Sequence, residues 1–587
     1  MKKIPLRHYG DLLVTYLRPQ WVKAAWLLTL LLGNIGLQLL NPQIVRHFID
    51  VAMGTDTGAA NTLLLTALLF VGVGLAQQLV SAFTTYFSAD VGWAATNMLR
   101  ADLAKHVLRL DMTFHNGTVP GQLIERIDGD VTLLSTFFSE FVIKVLGSLI
   151  LLVGVLGLLW LEDWRVSLAL MIFALGALLL LNQIRNIAIP ALSDERQATA
   201  NLFGFVEERL AGIEDIRANG GGAYSMRRFF EVSRDLLQKA WRASVMRTLI
   251  WMITMFMFTL GVTVSLTVGA FLFTQRSISL GTVYLFFQYS LLLRSPIEQI
   301  SRQLQELQKA AAGIGRVQQL REVKSTIRDG QAAELPGGAL SVLFQDVSFG
   351  YNSADMVLKN INFRLQPGQV LGVLGRTGSG KSTLTRLLFR LYDPTTGEIR
   401  LGGVPTQDVA LSDLRGRIGM VTQEVQLFHA TVRDNLTFFD SSIADERILA
   451  VLQDLGLQSW FAGLTDGLDT WLQAGAGGLS AGEAQLLACG RVFLKEPGLV
   501  ILDEPSSRLD PATESLIERA VDKLLHQRTG LIIAHRLATV QRADLIMVVE
   551  AGHIVELGPR EVLANDPGSH FYHLLQTADS KELIAVS

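Results

Sequence analysis

Six long stretches without Asp, Glu, Lys or Arg occupy the first half of this 587-residue chain. Each is about 17 residues or longer, which is enough for a helix to cross or nearly cross the hydrocarbon layer of a bilayer. A charge at mid-membrane costs roughly 2.5 to 3.5 kcal/mol, which explains the lack of charged residues. We therefore predict an all-α, six-helix transmembrane domain, because a soluble bundle would have to place all six stretches in one half. The stretches are residues 24–45, 57–89, 145–161, 166–184, 248–275 and 277–293.

The connections between these stretches differ in charge. Few cations occur in residues 52–61, 161–166 and 274–282, whereas Lys and Arg are frequent in residues 95–140 and 185–247 and in the opening MKKIPLRH. Because cytoplasmic loops carry the excess of Lys and Arg, both termini are predicted to be cytoplasmic. The first stretch is too long and too far from the start for a cleaved signal peptide, so it should remain a helix. These features predict a multi-pass protein of the plasma (inner) membrane.

Charge and cysteine content argue against two other classes of protein. The formal net charge is -3 and the Lys and Arg residues are dispersed, whereas nucleic-acid binding needs a concentrated basic surface. We therefore expect no nucleic-acid partner. The single cysteine, Cys489, excludes an intrachain disulfide framework and a Cys-rich metal site. It follows an apolar run, which favours a buried structural thiol over a reactive one.

The sequence pattern changes after residue 300. A charged helical stretch, RQLQELQKAAAGIGRVQQLREV, is followed by QAAELPGGAL, whose Pro and Gly break helical continuity. We predict a transmembrane domain at residues 1–310, a linker at 311–338 and a second domain at 339–587. In that domain β-rich runs alternate with helical segments, which is typical of an α/β fold with a largely parallel sheet. The β-rich runs are LSVLFQDVSF, QVLGVLG, LVILDEP and TGLIIAH.

The strongest local signal is GRTGSGKS, which follows the apolar run QVLGVL and precedes TLTRLLFRL. It fits the phosphate-loop pattern in its required strand, loop, helix context and predicts a P-loop NTPase domain. The glycines let backbone N–H groups curl around phosphate oxygens, and the helix start adds positive potential. Lys381 should reach the β and γ phosphates, and Ser382 should bind Mg²⁺. The predicted nucleotide-binding residues here are Gly375, Arg376, Thr377, Gly378, Ser379, Gly380, Lys381, Ser382 and Thr383.

A second signal is LVILDEP at residues 499–505. Four apolar residues predict a buried central strand that delivers Asp503 and Glu504 to its carboxyl end, where ligands of open α/β sheets collect. Asp503 is the candidate Mg²⁺ ligand. Glu504 is the candidate catalytic residue that orients or deprotonates the attacking water.

With LSAGEAQ at residues 479–485, the order of these motifs resembles the ATP-binding cassette (ABC) family, and the resemblance covers nearly the whole chain. The six-helix half resembles exporter-type members, in which membrane and ATPase domains are fused as a half-transporter. The segments DMTFHNGTVPGQLIERIDGDV and ERLAGIEDIRANGG are similar to the two intracellular loop regions of that family. The resemblance implies that these loops carry the coupling helices, and that the ligands are ATP and Mg²⁺.

The resemblance also implies roles for four further residues. Tyr351 in VSFGYN is at the position of the aromatic ring that stacks on adenine, a contact that can contribute about 1 to 3 kcal/mol. Gln423 in VTQEVQLF matches the glutamine that touches Mg²⁺ and links the nucleotide to the membrane half. His535 in IIAHRLATV matches the catalytic switch histidine that contacts the γ phosphate. Asp510 in SSRLDP matches the loop that crosses the dimer interface.

LSAGEAQ departs from the family signature, which caps the nucleotide held by the facing domain of a dimer. Ser480 and Gly482 remain and are predicted to contact that nucleotide from a helix start. Ala481, Glu483 and Ala484 replace the usual Gly, Gln and Arg. Glu483 would place a negative charge near the phosphate if its side chain pointed inward. In the preceding TWLQAGAGG, Ala474 stands where the family has a glutamate, a change that affects cross-talk with the partner's loop.

These departures favour one interpretation of the assembly. The chain is expected to be one half of a heterodimer that hydrolyses ATP at its own phosphate loop, while its altered signature completes a slower site. A homodimer with two equivalent sites is the alternative. The expected activity is ATP-driven export of a small molecule, lipid or drug-like amphiphile. A siderophore or metal-chelate importer on the same scaffold, and a nucleotide-gated channel or sensor, remain alternatives.

Polar residues within the apolar stretches give a weaker hint about the substrate. Such groups should face a partner or a cavity in lipid. Ordinary helix packing explains them as well as a substrate role does. They are Asn34, Gln38, Gln77, Gln78 and Gln288.

Overall fold

The computed structural model describes residues 14–53, 59–136, 142–330, 334–352, 355–473, 479–503, 511–534 and 540–576. The chain divides into two compact units. The helical unit comprises Met1–Leu108 and Pro120–Val323, and the α/β unit comprises Arg109–Val119 and Lys324–Ser587. The division after Val323 falls within the segment predicted as a linker, whose first part is helical as far as Glu322.

The helices of the first 323 residues, in chain order, are α1 (Trp21–Met53), α2 (Ala59–Leu108), α3 (Met112–Asn116), α4 (Pro120–Ile124), α5 (Asp130–Thr136), α6 (Val142–Glu162), α7 (Trp164–Ala211), α8 (Ile213–Ala218), α9 (Gly222–Thr274), α10 (Leu280–Leu292) and α11 (Arg294–Glu322). A π-helical turn, Glu125–Gly129, joins α4 to α5. Of these helices, α3 belongs to the α/β unit.

In the described part of the chain, five helices are long and apolar enough to cross a membrane, and they overlap the first five predicted stretches. With 50 and 53 residues, α2 and α9 are far longer than a bilayer crossing requires, so they continue into the segments predicted as intracellular. Apolar side chains of α2 such as Leu64, Leu65 and Leu68 are more than 60% exposed, as expected for a lipid-facing surface. The helical membrane domain predicted from the sequence is confirmed.

The sixth apolar stretch differs from the other five. It folds as α10, a helix of 13 residues that reaches about 20 Å, less than the hydrocarbon core. Leu293 keeps helical backbone angles, so α11 continues α10 after a single interruption. Buried Leu285, Phe286 and Tyr289 pack α10 into the core of the helical unit, and the Tyr289 hydroxyl donates to the Leu39 carbonyl at 2.9 Å.

The strands of the α/β unit are β1 (Val342–Phe349), β2 (Leu358–Leu365), β3 (Val370–Leu374), β4 (Thr396–Leu401), β5 (Val404–Pro405), β6 (Ile418–Val421), β7 (Ala430–Thr431), β8 (Trp471–Leu472), β9 (Leu499–Asp503), β10 (Thr529–Ile533), β11 (Leu545–Glu550) and β12 (His553–Pro559). Its further helices are α12 (Lys381–Leu388), α13 (Leu411–Gly416), α14 (Val432–Thr437), α15 (Asp445–Asp454), α16 (Gln458–Ala462), α17 (Ala481–Lys495), α18 (Pro511–Leu525) and α19 (Arg560–Asn565).

The main sheet of this unit has the order β12-β11-β3-β10-β9-β6, and only β12 is antiparallel to its neighbour. All residues of β3 and β10 are buried, as expected for continuous apolar runs covered on both faces. A smaller antiparallel sheet has the order β2-β1-β4-β5. The four β-rich runs predicted from the sequence are β1, β3, β9 and β10, and the predicted α/β domain with a parallel sheet is confirmed.

The short helix α3 packs within the α/β unit although it lies between helices of the other unit in the sequence. Asp111 caps it by accepting from the Phe114 N–H at 3.2 Å, and the same carboxylate accepts from the Thr326 N–H and hydroxyl. At the other end of α3, the Asn116 amide donates to the Tyr392 hydroxyl at 2.5 Å. Part of the first predicted intracellular loop is therefore fixed to the α/β unit.

Candidate nucleotide site

The phosphate loop begins where β3 ends at Leu374 and ends where α12 begins at Lys381. Gly375, Gly378 and Gly380 all have positive φ, a region that other residues avoid. A Cβ on Gly375 would lie 2.2 Å from the Val549 carbonyl oxygen, and one on Gly380 would lie 2.6 Å from a Leu358 methyl carbon. Steric contact as well as backbone conformation therefore requires glycine at the two ends of this loop.

The loop leads into a helix start that no side chain of the described residues caps. The first N–H groups of α12 are thus available to a ligand, and the helix dipole favours an anion there. The Lys381 side chain is buried, and its ammonium donates to the carbonyls of Gly375 at 2.6 Å and Arg376 at 3.1 Å. The Ser379 hydroxyl is buried and has no hydrogen-bond partner among the described residues. The arrangement suits phosphate oxygens.

A cavity of about 600 Å³ opens beside this helix start. It brings together nine of the predicted site residues from four separate segments of the α/β unit. The carboxyl ends of β6, β9 and β10 adjoin one another, which explains why Gln423 and Asp503 reach the same cavity as the phosphate loop. The predicted residues that line it are Tyr351, Thr377, Gly378, Gly380, Lys381, Ser382, Thr383, Gln423 and Asp503.

Other predicted residues are placed differently. Gly375, Arg376 and Ser379 belong to the loop but do not line the cavity. The predictions for Glu504, Asp510, His535 and Ala474 concern residues outside the described ranges. Two of them follow strands that are described: Asp503 ends β9, directly before Glu504, and it pairs in register with Ile533 of β10, two residues before His535.

Tyr351 is held at one side of the cavity by polar and aromatic contacts. Its hydroxyl lies 3.1 Å from the Thr383 hydroxyl and accepts from the Arg386 guanidinium at 2.7 Å. Its ring packs edge-on against Phe349 and Tyr392, with centroids 5.0 and 5.2 Å apart. Burial raises the pKa of Tyr392, whose hydroxyl meets Asn116 of α3. One aromatic cluster thus connects the predicted adenine platform with α3.

The sequence analysis missed Arg386, which also lines the cavity. It lies four residues after Ser382 on α12, so helical spacing alone places the two side chains on the same face. Its guanidinium carbon lies 5.8 Å from the centre of the Tyr351 ring. This cation adds positive charge to the side of the cavity that carries the aromatic platform.

Three side chains in the cavity have the oxygen donors that Mg²⁺ prefers: the hydroxyl of Ser382, the amide of Gln423 and the carboxylate of Asp503. They come from α12, from the loop after β6 and from the end of β9. Hard oxygen ligands of this kind, with room for water and phosphate oxygens, fit a magnesium site.

The loop that carries Gln423 is joined to the signature helix α17. The buried Gln485 amide donates to the Thr422 carbonyl at 3.2 Å, and the Thr422 hydroxyl donates to the Glu424 carbonyl at 2.8 Å. Thr422 and Glu424 flank Gln423. This connection was not predicted, because nothing in either local sequence indicates that the two segments meet.

The signature segment forms the start of α17 and does not line the cavity. The Ser480 hydroxyl accepts from the Glu483 N–H at 3.2 Å, and the Glu483 carboxylate accepts from the Ser480 N–H at 2.8 Å. This reciprocal pair is a capping box. Glu483 thus has a local structural role that sequence reasoning missed, although the spacing Ser-x-x-Glu signals it.

The other signature residues are placed by packing. Gly482 is buried, and a Cβ there would lie 1.9 Å from the Thr513 methyl carbon of α18. Ala484 is also buried, in the apolar core beside α17. Further along the helix, Cys489 is fully buried, and burial raises the pKa of its thiol to about 12. The predicted structural role of this cysteine agrees with its burial.

The fold and the cavity together define a P-loop nucleotide-binding domain fused to a helical membrane domain. The sequence matches the ABC transporter transmembrane region over residues 25–297 and the ABC transporter family over residues 358–507. A fatty acid ABC transporter ATP-binding/permease protein from Mycobacterium bovis is 30% identical over 473 residues, 81% of this chain and 75% of that protein. The chain therefore belongs to the ABC transporter family.

Two further relatives match over almost their full lengths. An ATP-dependent lipid A-core flippase from Alcanivorax borkumensis is 26% identical over 562 residues, 95% of each chain. A multidrug resistance ABC transporter ATP-binding and permease protein from Lactococcus lactis is 27% identical over 96% of this chain and 95% of that protein. The structure of a bacterial Atm1-family ABC exporter with ATP bound shares the fold, with a TM-score of 0.80 at 21% identity, covering 96% of this chain and 98% of that one.

Family membership establishes the coarse activity. One membrane region and one ATPase domain in a single chain is the arrangement of an exporter-type half-transporter, and such half-transporters function as dimers. The protein binds ATP, and its hydrolysis drives transport across the membrane. Its membrane region and its exporter relatives place it in the plasma (inner) membrane, with the ATPase domain in the cytoplasm.

Proposed function

We propose that this chain exports an amphiphilic small molecule or lipid, and that ATP held at the phosphate loop drives the export. The observation that carries the proposal is the convergence of Lys381, Ser382, Gln423 and Asp503 with Tyr351 on one cavity. The names of the relatives support the substrate class, since they refer to lipid A-core, fatty acid and multidrug transport. Lipid A and fatty acids both carry hydrocarbon chains.

Each part of the site then has a role in binding and hydrolysis. The N–H groups at the start of α12 and the Lys381 ammonium bind the phosphates, while Tyr351 receives the adenine. Ser382, Gln423 and Asp503 would hold Mg²⁺, which neutralises charge on the transferred phosphate. We assign Glu504 to orienting or deprotonating the attacking water and His535 to contacting the γ phosphate. Asp510 is assigned to the dimer interface.

Ser480 and Gly482 are assigned to the nucleotide of a facing subunit. We favour a heterodimer, because the capping box leaves this helix tip less suited to an anion than α12. The N–H groups of Ser480 and Glu483 are already used within the segment, and a carboxylate lies among them. The site completed by this signature is expected to turn over more slowly than one completed by an unaltered partner.

The test of the catalytic assignment is Glu504→Gln in the purified transporter. We expect ATP binding to be retained and hydrolysis to fall at least about 100-fold, because one general base typically contributes 10² to 10⁴. Binding is measured with a labelled ATP analogue and hydrolysis by phosphate release. Glu496→Gln is the control, because Glu496 lies before the start of β9 whereas Glu504 follows its end. This variant should hydrolyse ATP at the normal rate. Unchanged hydrolysis in Glu504→Gln would refute the assignment.

The heterodimer is tested by purifying the chain alone. Robust ATP hydrolysis and vesicle uptake without another subunit would support the homodimer instead. If the chain alone is nearly inactive, co-expression with a second half-transporter that carries an unaltered signature should restore hydrolysis, and Lys381→Ala in this chain should abolish most of that restored activity.

A further inference from the structure

The helical unit contains a cavity of about 590 Å³ that no step of nucleotide binding uses. Its lining comes from α1, α2, α5, α6 and the start of α11. On α2 the lining begins at Ser81 and ends at Arg100, so the cavity follows that helix for about 28 Å at roughly 1.5 Å per residue. A volume of this size is typical of a small-molecule site.

The two ends of the cavity differ in chemistry. Arg100 and Lys144 line it where α2 approaches its end and α6 begins, and no Asp or Glu occurs among the described residues that line it. The Arg100 guanidinium is held by the Thr132 hydroxyl at 2.8 Å and by Asp128, outside the lining, at 2.9 Å. Both cations belong to the cytoplasmic end of the helices, given the orientation of the protein.

The rest of the lining combines apolar surface with hydroxyl groups that are already bonded. Leu31, Ile35 and Leu151 are buried and line the cavity. The Thr84 hydroxyl donates to the Val80 carbonyl at 2.7 Å, and the Ser148 hydroxyl donates to the Gln299 amide at 3.1 Å. Hydroxyl groups satisfied in this way compete little for a ligand, so this region suits an apolar chain.

Asn34 contributes an unsatisfied polar atom to the lining. The side-chain oxygen of Asn34 is buried and has no hydrogen-bond partner among the described residues. A buried acceptor without a partner is unfavourable, so a ligand with a hydrocarbon chain at this level must leave room for a water that donates to Asn34. Asn34 and Gln38, two of the polar residues noted in the apolar stretches, therefore face a cavity, with Leu31 and Ile35 on the same helix.

We propose that this cavity binds an amphiphile with an anionic head, a carboxylate or a phosphate, at Arg100 and Lys144. Its hydrocarbon chain lies along α2 toward Leu31 and Leu151. This inference rests on the proposed function, since it names the class of substrate that the transporter carries. The two cations favour an anionic over a cationic head, and the length of the cavity together with its apolar side chains favours an amphiphile over free phosphate.

The experiment uses the complete transporter in phosphatidylcholine nanodiscs and measures ATP hydrolysis against ligand concentration. The probes are palmitate and palmitoyl lysophosphatidate, with hexadecanol, hexadecyltrimethylammonium and inorganic phosphate for comparison. We expect stimulation by the two anionic amphiphiles and not by the other three. Equal stimulation by the neutral or cationic amphiphile, or by inorganic phosphate alone, would overturn the proposal.

A substitution at Lys144 tests whether the stimulation of ATP hydrolysis depends on the cavity. Lys144→Gln should raise the half-saturating concentration of the anionic probe at least about tenfold, as expected for a lost charge-assisted hydrogen bond. Lys144→Arg should restore most of the affinity. Lys239→Gln, at a partly exposed lysine of α9 paired with Asp235, is the matched control. An unchanged half-saturating concentration in a well-folded Lys144→Gln would contradict the assignment.

This experiment separates two kinds of failure. If the transporter hydrolyses ATP and loses that activity in Glu504→Gln, but no anionic amphiphile acts on it, the proposed ATP-driven mechanism stands and the substrate class is wrong. If Glu504→Gln hydrolyses ATP normally, the assignment of the catalytic site itself is wrong. Saturable binding of radiolabelled palmitate to the Glu504→Gln protein gives a readout of the cavity that needs no hydrolysis.

Discussion

The α/β unit presents two helix starts with opposite local designs. The start of α12 follows a glycine loop and has no side-chain cap among the described residues, so its N–H groups are available to a ligand. The start of α17 is closed on itself by Ser480 and Glu483. Both starts carry the positive end of a helix dipole. The availability of backbone N–H donors, rather than the helix dipole alone, therefore distinguishes a helix start that suits an anion from one that does not.

Glycine has a different purpose at each helix start. In the phosphate loop Gly375, with a φ of 151°, also leaves no space for a Cβ. On α17 Gly482 has an ordinary helical backbone, and it is needed because Thr513 of α18 lies against it. Glycine at position 375 maintains the shape of the phosphate loop, and glycine at position 482 allows close contact between α17 and α18. Substitutions at the two positions should therefore fail in different ways.

The largest effect is expected for Gly375→Ala. The added methyl would meet the Val549 carbonyl and strain the backbone, together costing more than about 3 kcal/mol, or over 100-fold in ATP affinity. Gly378→Ala is the control, since it shares positive φ but has open space around it. Its affinity should fall by about tenfold, in line with a strain of 1 to 2 kcal/mol. Titration with a fluorescent ATP analogue measures the affinity of both variants. An equal loss of affinity in the two would show that the steric contact at Gly375 is unimportant.

An intermediate effect is expected for Gly482→Ala. The new methyl must displace Thr513, and overpacking of this kind costs about 1 to 3 kcal/mol. Thermal unfolding should show a lower Tm with ATP affinity at the phosphate loop nearly unchanged. Removing the Thr513 methyl with Thr513→Ser should recover much of the loss. Ala481→Gly, the exposed neighbour, should change stability by no more than about 1 kcal/mol. If Thr513→Ser gives no rescue, the packing argument is wrong.

The smallest effect is expected for Glu483→Gln. Glutamine keeps the capping-box geometry but removes the carboxylate charge from the helix tip. We expect little change in Tm and a rise of about two- to fivefold in ATP turnover at the site that this signature completes, equivalent to less than about 1 kcal/mol. Glu446→Gln, in the first turn of α15, is the matched control and should leave turnover unchanged. A fall in turnover would contradict the proposed slowing effect of this charge.

Local patterns were sufficient for the elements that make the cradle. Continuous apolar runs predicted β3, β9 and β10, and the glycine spacing predicted the loop, because both signals arise from neighbouring residues. The spacing of Ser480 and Glu483 is also a local signal of a capping box, although the family pattern has a glutamine where Glu483 stands. The contacts of Gln485 with Thr422 and of Tyr392 with Asn116 join segments 63 and 276 residues apart. Such contacts depend on how distant elements pack, which a single sequence does not specify.

The membrane stretches show a similar limit. Hydrophobicity alone predicts all six, but α10 is shorter than its apolar stretch because the helix begins only after its N-cap, Ser279, and ends at Leu292. The cavity beside Arg100 and Lys144 was only hinted at by Asn34 and Gln38, since its shape arises from five helices together. Composition predicts that polar residues need a partner, and the packing of those helices determines which partner they have.

The placement of α3 has a practical consequence for how the ATPase half can be studied. A fragment starting at residue 324 or 339 would lack part of the α/β unit, because residues 109–119 belong to that unit. The Tyr392 phenol would lose its Asn116 donor, and the apolar surface that Met112 covers would be opened to water. ATPase measurements on such a fragment would therefore describe an incomplete domain. Fusing residues 109–119 to the fragment through a linker would restore the missing segment.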